Sequence, residues 1–307
     1  MFMADVAEEL AHTAPGADTE QIAEAAALLR IGGTLELRGG RGAARIAITV
    51  DTTSGAVARR LRAAMRRLGT EPPDIEVHAP HEIQHLTRYR IRLEDAARVL
   101  ATTGLTDAEG RPQAAPPARL TDTVATASAY LRGALMAGGS LSDPKRRAHL
   151  EIRAGSEPSA QHLAGVLQDC GAPGARAAPR RTQWRVAVKS GGEIGAVLAS
   201  AGAHQSYLRW DEGRLRRELR GAANRAVNAD RANVARSVSA SGQQIEAIHR
   251  VIASVGLEHL PDDLTAVALA RLANPEASLG QLGTLLDPPV GKATVHRRLA
   301  RLLQFEG

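Results

Sequence analysis

Tyr130-Leu131-Arg132-Gly133-Ala134-Leu135-Met136-Ala137-Gly138-Gly139-Ser140 decides how the rest of the chain is read. Small residues at Ala129, Gly133 and Ala137 recur every fourth position, so they share one stripe of a helix. A stripe without bulk lets a second helix approach by its backbone. Gly138-Gly139 then predicts a stop, with glycine supplying a left-handed cap. An earlier stretch has the same form: Glu24 to Thr34 reads Glu-Ala-Ala-Ala-Leu-Leu-Arg-Ile-Gly-Gly-Thr, with Ala23 and Ala27 in the small positions and Gly32-Gly33 as the stop. Two such helices predict a pseudo-symmetric pair packed face to face.

The repetition extends outward from both. After Gly32-Gly33, Thr34–Leu37 and Arg45–Val50 flank Gly39, Gly40 and Gly42, which predicts a hairpin. After Gly138-Gly139, Ser140-Leu141 and Ala148–Arg153 flank Asp143-Pro144, a second hairpin in the same place. A helix follows in each half, Gly55–Leu68 and Ser159–Cys170, then a strand, Tyr89–Leu93 and Trp184–Val188. Each half closes on a short helix, ending at Gly104 and at Gly202. The unit is helix, hairpin, helix, one or two strands, helix. Repeat 1 is placed at about 18–112 and repeat 2 at about 122–205, joined through Gln113-Ala114-Ala115-Pro116-Pro117, whose composition is that of a linker.

With 307 residues the chain can bury one large core or a few modest ones. Its 44% hydrophobic and 23% charged content is that of a folded soluble protein, and aromatics at 2% leave the core to Ala, Val, Leu and Ile. A net charge of +6, carried mainly by arginine, favours a polyanionic partner. Cys170 is the single cysteine, which excludes an intrachain disulfide and a cysteine-based zinc site. No apolar run is long enough for a bilayer, and Asp5, Glu8 and Glu9 are unlike a secretion signal, so no membrane partner and a cytoplasmic location are expected.

From Gly213 to Val255 the chain is helical in pattern and strongly basic. Arg209, Arg214, Arg216, Arg217, Arg220, Arg225, Arg231 and Arg236 stand against four acids. Asn224, Asn228 and Asn233 disfavour a helix interior unless their amides are used, which predicts hydrogen bonds to a neighbouring element, with direct phosphate contact as the alternative. Beyond Gly256, Leu264–Leu272 predicts a helix broken at Asn274-Pro275, and Ser278 caps Leu279–Leu286 and is counted with the expected DNA-binding residues. The turn Asp287-Pro288-Pro289-Val290-Gly291 leads into Lys292–Leu303. Two short helices joined by a tight turn have helix-turn-helix form. Lys292, Ala293, Thr294 and His296 open the second helix and are placed to meet base edges. Arg297, Arg298 and Arg301 suit phosphates, and Leu299, Leu302 and Leu303 form the packing stripe. The expected boundaries are 1–205, a basic helical linker over 206–255, and a DNA-binding domain over 256–307.

Catalytic motifs are sparse. No Gly-x-Ser-x-Gly elbow occurs. Gly291-Lys292 is not a phosphate loop, because Leu286 holds the required glycine position and Ala293 the Ser/Thr position. Gly39-Gly40-Arg41-Gly42 reads as a hairpin turn. His78, His81 and His85, with only Glu82 nearby, read as surface histidines, and no metal or cofactor is expected. Arg59, Arg60, Arg62, Arg66 and Arg67 read as a solvated helix face or as a contact to backbone phosphates.

Leu131–Gly139 resembles the signature helix of LAGLIDADG homing endonucleases, and Ala25–Gly33 resembles its first copy. That resemblance implies an α+β, pseudo-two-fold domain whose sheets form a saddle over DNA. It also implies a metal-binding acid just before the final glycine of each motif. Those positions hold Gly32 and Gly138. A glycine offers no side-chain oxygen to a divalent cation, so no nuclease activity is expected. An all-α helix-turn-helix domain following such a degenerate domain resembles the WhiA family of sporulation and cell-division transcription regulators. The resemblance is carried by Leu131-Arg132-Gly133, Ala137–Ser140, Asn224-Arg225, Asn228, Asp230, Ala232-Asn233, Asn274-Pro275, Ser278-Leu279, Leu282-Gly283, Pro288–Lys292 and His296-Arg297.

Membership implies a sequence-specific DNA-binding regulator of sporulation septation genes. Its expected partners are double-stranded promoter DNA and, on the protein side, another transcription regulator or RNA polymerase; its expected place is the nucleoid. Two alternatives are an active metal-dependent homing endonuclease, which needs acids at both glycine positions, and a protein-interaction module in cell-division control.

Overall fold

The computed structural model describes residues 2–40, 42–80 and 85–304. The chain divides into two compact units, Met1–Glu218 and Leu219–Gly307. In the first, repeat 1 comprises α2 (Asp18–Gly32), β1 (Gly33–Gly40), β2 (Gly42–Thr52), α3 (Gly55–Arg67), β3 (Ile75–His78), β4 (Arg88–Leu93) and α4 (Ala97–Thr102), preceded by α1 (Phe2–Ala11). Repeat 2 comprises α5 (Val124–Gly138), β5 (Gly139–Leu141), β6 (Leu150–Ala154), α6 (Glu157–Asp169), β7 (Arg176–Arg180), β8 (Gln183–Val188) and α7 (Gly191–Ala201). The two antiparallel sheets have equivalent orders, β1-β2-β4-β3 and β5-β6-β8-β7. Each repeat therefore has two strands after its second helix, and β3 and β7 are the members that local pattern left open.

The paired helices are the centre of this unit. Ala23 to Leu29 of α2 are buried without a break, as are Ala129–Leu131 and Gly133–Met136 of α5. Helices apolar on every side belong in a core. At Gly133 an added Cβ would run into the Glu24 carbonyl oxygen and lie 3.0 Å from Ala27 Cβ, so the small stripe does set a backbone-close crossing. The expected left-handed caps are absent. Gly33 and Gly139 are extended, at φ −85° and −69°, and each helix runs directly into its strand. Glycine is required there by crowding instead: an added Cβ at Gly33 would collide with the Leu29 carbonyl oxygen, and at Gly139 it would lie 2.5 Å from the Leu135 carbonyl oxygen.

A buried charge ties the seam together. Glu24, 5% exposed, accepts from Arg132 Nε at 2.7 Å across the helix pair and from both Arg60 Nε and Arg60 Nη2. Arg60 also donates to the Thr13 carbonyl at 2.6 Å, and Arg132 to the Ala201 carbonyl at 3.2 Å. Arg60 therefore leaves the solvated face that the arginine run of α3 suggested. At the equivalent place in repeat 2, Tyr130 is fully buried and meets His162 edge-on, with ring centroids 5.7 Å apart. Burial pushes the Tyr130 hydroxyl up to about 12.

Helix α8 (His204–Val255) begins in the first unit and ends in the second. It starts earlier than the expected Gly213, held by buried Trp210, whose Nε1 donates to the Ser142 carbonyl at 2.9 Å. Glu9 of α1 accepts the Gln205 and Ser206 amides at 2.8 and 2.7 Å, placing a carboxylate at the positive end of that helix. Asn224, Asn228 and Asn233 are all exposed, and Asn233 Oδ1 accepts from Arg236 of the same helix at 2.6 Å, so the expected bonds to a neighbouring element are not what these amides make.

In the second unit, the end of α8, α9 (Asp262–Ala273), α10 (Leu279–Thr284) and α11 (Lys292–Leu303) enclose a core of Ile248, Val251, Leu264, Val267, Leu282, Val295, Leu299 and Leu302. Among the described residues no helix is long and apolar enough to cross a membrane.

Candidate nucleic-acid interface

Helix α10 begins with a reciprocal cap. Ser278 Oγ accepts the Gln281 amide at 3.3 Å and Gln281 Oε1 accepts the Ser278 amide at 2.8 Å. Ser278 is exposed, and its hydroxyl is engaged in holding the helix start. The turn between α10 and α11 closes through Gly283, whose carbonyl accepts the Val290 amide at 2.9 Å. An added Cβ at Gly283 would collide with the Val290 carbonyl oxygen, so only glycine fits this approach.

Arg271, 3% exposed, donates to the Ala277 carbonyl at 2.7 Å and fixes the backbone that enters α10. Burial lowers its pKa. Sequence pattern gave no signal for this inward arginine at the end of an otherwise amphipathic helix.

Val295, Leu299 and Leu302 bury one side of α11, with Leu303 outside the core at 44% exposure. Lys292, Ala293, His296 and Arg297 are exposed; the spacing of Ala293, His296 and Arg297 puts them on one face away from the core, while Lys292, in line with Leu299 two turns on, is exposed at the start of the helix. Thr294 is half-buried beside that face, with Arg297 Nη2 3.5 Å from its hydroxyl. Arg298 and Arg301 go elsewhere: their guanidiniums lie 3.4 and 3.8 Å from the Asp263 carboxylate of α9. The eight residues singled out by sequence thus separate into four that are exposed, half-buried Thr294 beside them, Arg298 and Arg301 near Asp263, and the cap at Ser278.

The ends of the paired helices are the other place to examine. Gly32 and Gly138 are the last residues of α2 and α5. A Cβ at Gly138 would lie 2.5 Å from Ile31 Cγ2, so an acid there requires Ile31 to move; at Gly32 the nearest atom is Ala137 Cβ at 3.4 Å. The positively charged Arg153 side chain sits by this seam end, its Nη2 donating to the Ala137 carbonyl at 3.1 Å. Two glycines and a guanidinium do not fit a divalent cation. His78 pairs with Glu76 at 3.4 Å and His85 is exposed, while His81 and Glu82, like Arg41 of the first hairpin, lie outside the described residues.

Charge differs between the sheets. On β4 Arg90 is paired with Asp51 at 3.0 Å, and Arg92 with Glu36 and Glu94 at 2.8 and 2.7 Å. On the second sheet Glu151 serves both Arg180 and Arg185, at 2.9 and 3.1 Å, while Arg153 and Arg176 donate to backbone carbonyls.

Family models match along the chain. The WhiA N-terminal LAGLIDADG-like domain matches residues 18–106, the WhiA LAGLIDADG-like domain 127–220, and the WhiA C-terminal HTH domain 223–306. A relative from Frankia alni named "Probable cell division protein WhiA" is 38% identical over 286 residues, covering 92% of this chain and 85% of its own. One of the same name from Acidothermus cellulolyticus is 37% identical over 302 residues, covering 98% and 91%. The crystal structure of full-length DUF199/WhiA from Thermatoga maritima is similar at 26% identity and a TM-score of 0.54, covering 97% of this chain and 95% of that one.

Proposed function

The chain belongs to the WhiA family, and from that membership we propose that it is a sequence-specific DNA-binding transcription regulator of sporulation septation and cell-division genes, without nuclease activity. The observation that carries this reading is the exposed edge of α11. His296 and Arg297 project from a helix whose other side is locked into a core by Val295, Leu299 and Leu302, and Lys292 stands exposed at its start, behind a turn fixed at Gly283. A helix so anchored can enter a major groove with its donors toward base edges and phosphates. Residues 256–307 supply base readout; the linker over 206–255 and the domain over 1–205 add phosphate contact or hold a protein partner, another regulator or RNA polymerase. The place of action is the cytoplasm, at the nucleoid.

The nuclease alternative is disfavoured by Gly32 and Gly138, which lack the oxygens a metal-assisted phosphodiester cleavage needs. Incubation of the full chain with supercoiled promoter plasmid and Mg²⁺ tests this directly. Intact plasmid is expected, and site-specific nicking overturns the reading.

A further inference from the structure

Within the first unit, α1, β2, the start of α3, β4, β6 and the ends of α2 and α5 line a half-open cavity of about 840 Å³. That lies in the range of small-molecule sites, roughly 300–1,000 Å³. Three guanidiniums line it. Arg59 and Arg88 have no ion pair or hydrogen bond among the described residues, and Arg153 donates only to the Ala137 carbonyl. Two carboxylates also line it, and both are already engaged. Asp51 is held by both arms of Arg90 at 3.0 and 3.2 Å, and Glu8 accepts from Ser54 Oγ at 2.9 Å with His12 3.9 Å away. Asp51 is taken by Arg90 and Glu8 keeps one negative charge, so among the described residues the three guanidiniums leave the lining with an excess of positive charge. Tyr89, Met136 and Val50 supply aromatic and apolar surface in the same lining.

We propose that this cavity binds a nucleoside phosphate. The planar fork of arginine matches phosphate oxygens in pairs, which places the phosphate at Arg88 and Arg153. The base lies against Tyr89 and Met136. Where an endonuclease of this fold would gather acids around a cation, this chain gathers arginines that call for an anion. The inference stands on the cavity alone and is independent of the role given to α11.

Titration calorimetry of the full chain with GMP, AMP and inorganic phosphate tests it. At least one nucleotide should bind saturably at one site, with inorganic phosphate at least about tenfold weaker. Arg88→Ala and Arg153→Ala should each weaken nucleotide binding by about tenfold or more, the worth of one charge-assisted contact. Arg216→Ala, on the exposed part of α8, should leave it unchanged. Tyr89→Leu should weaken nucleotide but not inorganic phosphate. Three results overturn the proposal: absence of heat with both nucleotides, phosphate binding as tightly as nucleotide, or undiminished binding in folded arginine variants. A loss confined to duplex DNA binding, with no nucleotide bound by the parent chain, overturns it as well.

Discussion

Glu24→Ala should be among the most damaging single changes in the first unit. Glu24 is 5% exposed and its partners Arg60 and Arg132 have side chains 11% exposed, so removing the carboxylate leaves two guanidiniums facing each other away from water. Breaking a buried pair by deleting one partner costs about 3–5 kcal/mol. The remaining bonds of Arg60 to Thr13 and of Arg132 to Ala201 satisfy donors but supply no charge, so they keep the loss within that range. For a unit of this size a loss of 1 kcal/mol lowers Tm by about 2–4 °C, giving a drop of about 6–20 °C. Glu24→Gln keeps shape and acceptor but not charge, and should fall between the parent and Glu24→Ala. Urea unfolding followed by circular dichroism, with both variants and the parent, measures this. A Glu24→Ala loss below about 1 kcal/mol, the scale of an exposed pair, would refute the reasoning.

On α11, Arg297→Ala should weaken binding to a preferred duplex by about 1–3 kcal/mol, whereas Arg298→Ala, already paired with Asp263, should weaken it less; fluorescence anisotropy compares the two. Gly283→Ala forces the turn open against the Val290 carbonyl and should cost the second unit about 1–3 kcal/mol, read as loss of a high-affinity complex and a lower melting transition. Burial, with the charge of Arg30 behind it, holds His162 below its ordinary 6.5. The native state therefore binds fewer protons than the unfolded chain; this stability is complete above about pH 6.5 and falls as pH drops through the folded value. Replacing His162 by Gln should flatten the dependence of the urea midpoint on pH between about pH 7.5 and about pH 5.5.

Much of the fold was legible because it is written twice. The small stripe, the Gly-Gly ends and the hairpins of each repeat supported one another, and the sheets take the same strand order in both halves. Helix α1 was missed although Met3, Val6, Ala7 and Leu10 have helical spacing and are all buried; it lies outside the repeat, so no second copy drew attention to it. The strand Arg176–Arg180 was not legible for a different reason. It is exposed along nearly its whole length and carries a proline, so neither alternation nor strand propensity marks it.

At the site, the buried face of α11 followed from leucine and valine spacing alone. Which arginines remain free did not, because pairing with Asp263 depends on where α9 lies. The inward turns of Arg60 and Arg271 were equally invisible, since a charged residue is read as exposed until its partners are known.

The central claim is that the exposed face of α11 reads DNA sequence. Selection of bound duplexes from a random library tests it most directly, run with the full chain and with a Lys292→Ala, His296→Ala, Arg297→Ala triple variant. The parent should enrich one short common sequence and the folded variant should not. Enrichment of the same sequence by both proteins, or of none by the parent, would contradict the account.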